Sequence, residues 1–304
     1  MTTIHPSYTI FILIILMLTG CQTDKLERIS YDSQVAGEKR DFYLYLPNGY
    51  ELSDKNWPVL MFLHGNGERG NGKDELGFVL MHGPLKEAWV YKRDLPFIII
   101  SPQLHMFGMD ETASYLQNRD TTMIPQRLEE GVPERTPYSS TTGIMEGEKG
   151  EVAEYITLPN GWERVGKDLL GMLDYVQENY RADSNRVYLT GLSYGGFGTW
   201  QLASSYPDRF AAIAPVVGWG HPDLMDPIAE YEIPVWTFAG GRDQVVRAKH
   251  FYPGLNKLEE LGHNDVRFTT HQDLGHDTWK RVYRGDDLYN WFLTHQLSAD
   301  SLDS

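Results

Sequence analysis

The stretch RVYLTGLSYGGFGTW, residues 186–200, decides how the rest of the chain is read. It passes from a short apolar run at 187–190 through Gly191-Leu192-Ser193-Tyr194-Gly195 into a segment of helical character that reaches Ser205. The pentapeptide matches G-x-S-x-G, in which a sharp strand-to-helix turn lifts a serine hydroxyl clear of a sheet and the glycines leave room for the turn. By composition alone such a match occurs in roughly one 300-residue chain in ten. The flanking strand and helix therefore carry the reading. Gly196 and Gly198 are poor helix formers, and their expected use is close packing of the helix on a strand.

A serine hydroxyl is a weak nucleophile at neutral pH. It needs a base to take its proton and a carboxylate to hold that base in one tautomer. Downstream, in the order nucleophile, acid, base, the chain supplies Asp243 in Ala239-Gly240-Gly241-Arg242-Asp243 and His276 in Leu274-Gly275-His276-Asp277. Asp243 directly follows the apolar run at 235–238, where the C-terminal edge of a sheet would present it. His276 follows the expected strand at 266–270 and precedes the last helical segment. Asp223 and Asp226 are the fallback acids, and His271 and His263 the rival bases. Acyl transfer also needs backbone amides for the developing oxyanion. Those expected are the amide of Tyr194, next after the nucleophile, and that of Asn66, in the loop His64-Gly65-Asn66-Gly67-Glu68-Arg69-Gly70. That glycine-rich loop lacks the G-x-x-x-x-G-K-[ST] pattern of a phosphate site.

Outward from this centre, wholly apolar runs recur at 59–63, 97–100, 187–189, 211–213 and 235–238, as buried parallel strands do. Segments of helical period lie between them. At 162–180, Val165, Leu169, Leu173 and Val176 share one face; others cover 250–261 and about 286–297. Alternating strands and helices imply a doubly wound α/β domain with a mostly parallel sheet. An antiparallel hairpin turning near Ala36-Gly37-Glu38 precedes it. From about 104 to 161 no apolar period survives. This stretch reads as an insertion, either a lid or substrate-binding surface or simply an acidic surface loop.

The 304 residues carry 41% hydrophobic and 12% aromatic side chains, enough for a substantial core, and suit one α/β unit with an insertion. The net charge of -15, with no block of Lys and Arg, argues against a nucleic-acid partner. A single cysteine, Cys21, rules out a disulfide framework or a cysteine metal site. The apolar run at 10–18 is too short to span a bilayer and reads as the core of a signal peptide over residues 1–20. Leu18-Thr19-Gly20-Cys21 resembles a bacterial lipobox, which implies a lipid anchor on Cys21 and a place in the cell envelope; the alternative is an incidental cysteine after an ordinary signal peptide, in a secreted protein. By resemblance to Gram-negative lipoproteins, Gln22 favours the outer membrane. The n-region departs from that pattern in having no Lys or Arg. Residues 21–30 read as a polar tether and 31–304 as the domain.

Together, YLPNGY at 45–50, PVLMFLHGNGERG at 58–70, SPQ at 101–103, RVYLTGLSYGGFGTW, GGRD at 240–243 and LGHDTW at 274–279 resemble secreted α/β-hydrolases. The similar group comprises the dienelactone-hydrolase, feruloyl/acetyl-esterase and polyhydroxybutyrate-depolymerase type, from about Arg40 to Gln296. The resemblance implies an α/β-hydrolase fold and an esterase needing no metal or organic cofactor. Dienelactone hydrolases proper use a cysteine nucleophile, which is absent here. The expected activity is hydrolysis of carboxylic esters, small or borne on a polysaccharide, through an acyl-enzyme. Trp219, Trp279 and Tyr194 are candidates to stack on sugar or aromatic acyl groups, or else simply to pack. A serine peptidase related to prolyl oligopeptidase, and a non-catalytic glycan-binding surface lipoprotein, are the alternative readings.

Overall fold

Alternation along the apolar runs sends successive side chains to opposite faces of one sheet. In the computed structural model, which describes residues 23–35, 37–130 and 149–297, eight strands form that sheet. They are β1 (Lys25–Asp32), β2 (Lys39–Leu46), β3 (Trp57–Leu63), β4 (Ile98–Ser101), β5 (Ala182–Leu192), β6 (Ala212–Val216), β7 (Val235–Gly240) and β8 (Val266–His271). Their order is β1-β2-β4-β3-β5-β6-β7-β8. The β1–β2 and β2–β4 pairs are antiparallel, and every pair from β4 to β8 is parallel.

Val59, Met61 and Leu63 of β3 join Ile98, Ile100, Val187 and Leu189 in one core layer. The intervening Leu60 and Phe62 join Phe97, Ile99 and Tyr188 in the other. Both faces are covered there, so β3 and residues 97–100 and 187–189 lack the polar positions of a half-exposed sheet. The helix Gly166–Asn179 lays Leu169, Leu173 and Val176 against the first layer, with Val165 just before it. The helix Asp287–Phe292 closes the second. This last helix is shorter than the 286–297 expected, because Leu293 is already its C-cap.

Two boundaries differ from the sequence reading. The tether ends sooner, since residues 25–30 already pair with β2 in β1; alternating burial on a single exposed strand is a weak pattern in a charged segment. The 104–161 segment has elements of its own: the helices Met109–Thr112 and Ser114–Gln117 and a 3-10 turn Thr121–Met123. Four-residue helices are too short to print a period. Cys21, the signal segment and residues 131–148 of the insertion lie outside the described residues.

The parallel strands all point the same way. Their carboxyl ends bring together the loops after β3, β5, β6, β7 and β8, the edge where open α/β sheets bind ligands.

Candidate active site

Ser193 directly follows β5 and caps the helix Tyr194–Ser205 with φ 52° and ψ −113°, a strained conformation for a residue with a side chain. Its amide donates to the Val216 carbonyl at 2.9 Å and its carbonyl accepts from Phe197 at 3.1 Å, which hold the turn in place. Gly195 must be glycine, because a Cβ there would run into the Leu63 carbonyl of β3. Gly198 allows a close approach too, though its neighbour is the Trp162 indole and not a strand.

The predicted partners converge on the serine. Ser193 Oγ lies 3.0 Å from His276 Nε2, and His276 Nδ1 lies 2.8 Å from Asp243 Oδ2. The carboxylate is fully buried, and its other oxygen, Oδ1, accepts from the amides of Val245 at 2.8 Å and Val246 at 2.9 Å. Two backbone donors fix the acid, the acid fixes the imidazole, and the imidazole reaches the hydroxyl. The fallbacks are elsewhere: Asp223 and Asp226 are exposed. His263 Nε2 binds the Ile233 carbonyl at 2.7 Å. The His271 ring stacks on Phe238, and burial pushes its pKa down to about 4.

Tyr194 begins the helix after the nucleophile, and Asn66 begins the 3-10 turn Asn66–Glu68 after β3. The first amides of a helical turn have no partner within it, so neither backbone group is used up by its own turn. Asn66, Tyr194, Ser193 and His276 all line a cavity of about 910 Å³. Trp219 and Trp279 line it too. Trp219 is almost buried, edge-on to Phe197 with centroids 4.9 Å apart and tilted on Tyr155 at 5.6 Å. Trp279 packs against His82 at 5.4 Å and stands perpendicular to His276.

The insertion contributes to this wall. Tyr115, Val152 and Tyr155 line the cavity and are exposed at its rim. The 149–158 arm is pinned by the Lys249–Glu151 ion pair at 2.8 Å and by its Ala153 carbonyl, 3.3 Å from His221 Nε2. No sequence signal marks Tyr155 or His82, since neither sits in a motif. Glu68 and Arg69 lie inside the 64–70 loop, whose glycine pattern points to its backbone amides and not to its side chains. Glu68 is buried at the cavity, 3.5 Å from His82, and burial pushes its carboxyl up to about 7. Burial likewise lowers His82 to about 4, so that ring is neutral at pH 7. Among the described residues no group of three or more His, Cys, Asp or Glu side chains is placed to hold a metal ion.

A sheet of this topology, with a serine on a strained elbow after its central strand and acid and base after later strands, is the α/β-hydrolase fold. The prolyl oligopeptidase family model matches residues 160–237, which contain the elbow. The chain is 42% identical over 62 residues to a feruloyl esterase B of Thermothelomyces thermophilus, covering 20% of this chain and 21% of that protein. It is 49% identical over 47 residues to a poly(3-hydroxyalkanoate) depolymerase C of Paucimonas lemoignei, covering 16% and 11%. The chain thus spans about a fifth or less of the length of these relatives. A solved thermostable esterase superposes with a TM-score of 0.59 at 21% identity, over 89% of this chain and 63% of that one.

Proposed function

We propose that the chain is a serine carboxylic-ester hydrolase working through an acyl-enzyme, with Ser193 as nucleophile, His276 as general base and Asp243 as the orienting acid. The observation that carries the reading is the unbroken hydrogen-bonded line from Ser193 Oγ through both ring nitrogens of His276 to Asp243. Ser193 Oγ attacks the ester carbonyl while His276 Nε2 takes its proton. The oxyanion is met by the amides of Asn66 and Tyr194, each such donor contributing about 2.7–4 kcal/mol. The tetrahedral centre collapses to acyl-Ser193, and His276 returns the proton to the departing alcohol. Water, deprotonated by His276, then releases the acid and restores the serine.

Acyl groups on carbohydrates are the proposed substrates. The feruloyl esterase relative supports this, as does an aromatic wall of Tyr155, Phe197 and Trp219 beside the nucleophile. A peptidase is the second reading, favoured by the prolyl oligopeptidase match over the elbow. The test is hydrolysis of p-nitrophenyl acetate and methyl ferulate by protein from about Thr23 onward, beside Ser193→Ala. Turnover by the wild type alone supports the esterase. Cleavage of peptide amides without ester turnover replaces it with the peptidase. We propose further that Cys21 carries a lipid anchor in the cell envelope, supported by the 18–21 tetrad. If Cys21→Ser leaves the full chain in the membrane fraction, the anchor is wrong.

A further inference from the structure

Arg69 follows the Asn66–Glu68 turn and is fully buried. Burying a guanidinium is costly unless its donors are met, so its partners reveal what it secures. Nε donates to Asn66 Oδ1. Nη1 donates to the His105 carbonyl at 2.7 Å, and Nη2 to the Asn160 carbonyl at 2.9 Å. The guanidinium carbon sits 4.7 Å from the centroid of the Tyr194 ring, whose hydroxyl donates to the Pro159 carbonyl at 2.8 Å. Asn66 Nδ2 in turn donates to the Tyr115 hydroxyl.

Each contact of the Arg69 guanidinium ends either on a residue proposed to supply an oxyanion amide or on one of the two ends of the 104–161 insertion, while the Arg69 carbonyl accepts from Arg119 Nη1 at 2.6 Å. An oxyanion donor lowers the barrier only if it is aimed before charge develops. A three-residue 3-10 turn has poor hydrogen-bond geometry of its own and little stiffness. Something outside the turn must hold the Asn66 amide in place.

We infer that Arg69 is a positioning residue for the oxyanion hole, clamping Asn66 and Tyr194 to the two ends of the insertion. The inference rests on the ester-hydrolase reading above. Lysine keeps the charge at this site but not the planar fork, so it cannot reach Asn66, His105 and Asn160 together.

The test compares wild type, Arg69→Lys and Asn66→Ala in the full chain; the latter removes the Arg69 contact but keeps the backbone amide. The readouts are kcat and KM on p-nitrophenyl acetate, the inhibition constant of an aryl trifluoromethyl ketone, and the thermal midpoint. The ketone adds to Ser193 as a hemiketal oxyanion and so reports on the hole directly. We expect kcat to fall about tenfold to a hundredfold in both variants. Ketone affinity should weaken by the same factor while KM stays within about twofold. Folded variants with wild-type kcat and ketone affinity would overturn the inference. Should Arg69→Lys not fold, Asn66→Ala, a half-buried residue on the same contact, decides alone. A wild type that turns over no ester but binds the ketone defeats the ester reading and leaves Arg69 to be judged on ketone affinity. A wild type that binds no ketone overturns the inference outright.

Discussion

The indole of Trp279 stands perpendicular to the imidazole of His276, with ring centroids 5.1 Å apart and planes at 90°. Such an edge-to-face pair contributes about 0.5–1.5 kcal/mol beyond the area it buries, which is up to about tenfold in rate. Trp279 is therefore a wall that holds the base as much as a surface for substrate. Trp279→Ala should lower kcat and kcat/KM together by about tenfold, and Trp279→Phe should recover most of the loss. Steady-state kinetics on a small acetate ester decides between the roles: a rise in KM alone would assign the indole to substrate binding.

Asp243→Asn preserves an oxygen for the Val245 and Val246 amides but can place an amide NH2 against the base, selecting the wrong tautomer. We expect kcat to drop by about 10³–10⁴-fold with the thermal midpoint nearly unchanged. Asp223→Asn and Asp226→Asn, on exposed positions, should leave kcat at the wild-type value.

Two buried groups in the His64–Arg69 loop give pH dependences of opposite sign. His64 donates from Nδ1 to the Gly65 carbonyl at 2.6 Å and accepts at Nε2 from Leu104 at 2.9 Å, so it is held neutral, and burial lowers its pKa from 6.5 to about 3. Its unfolded form binds more protons in that interval, so the stability it lends is present above 6.5 and is lost as pH falls toward 3. Glu68, raised from 4.5 to about 7, behaves in reverse: its share is present below 4.5 and lost as pH rises through 7. Glu68→Gln should therefore gain on the wild type between pH 4.5 and 8, by roughly 3 kcal/mol at most. His64→Gln should lose less stability than the wild type on going from pH 7 to 4.5. Urea midpoints at the three pH values test both signs.

Tyr155 is 48% exposed and tilts over Trp219 at the cavity rim. Its removal should not disturb the core. Tyr155→Ala is expected to raise KM for methyl ferulate about fivefold, the scale of one aromatic contact, and to leave p-nitrophenyl acetate unaffected. Equal effects on both esters would dissociate this arm of the insertion from acyl selection.

The elbow was legible because its chemistry and its backbone make the same demand: Ser193 needs a tight turn, and Gly195 is the residue the Leu63 carbonyl tolerates. The strands were legible because both faces of the sheet are buried, leaving uninterrupted apolar runs. Asp243 and His276 stood out through their place after β7 and β8 and through the GGRD and LGHDTW stretches around them, since a lone loop aspartate or histidine such as Asp223 or His271 is common. What stayed hidden depends on contacts far apart in the chain. Nothing near Tyr155 reveals that it meets Trp219, and nothing near Arg69 reveals that it reaches Asn160. The first residues of β1, charged and with mixed burial on a strand with one neighbour, read as a tether for the same reason.

The fork of Arg69 joins the carbonyls of His105 and Asn160, so the 104–161 excursion leaves the sheet and returns through a narrow neck. Closing a loop whose ends are already held costs little more as it lengthens, since the entropy grows only with the logarithm of residue number. Beyond that neck the excursion touches down again: Arg119 Nη1 donates to the Gly67 and Arg69 carbonyls at 2.8 and 2.6 Å, and Arg127 pairs with Asp24 at 2.6 Å. Changes of length are therefore cheapest between such anchor points, which keep the machinery below constant.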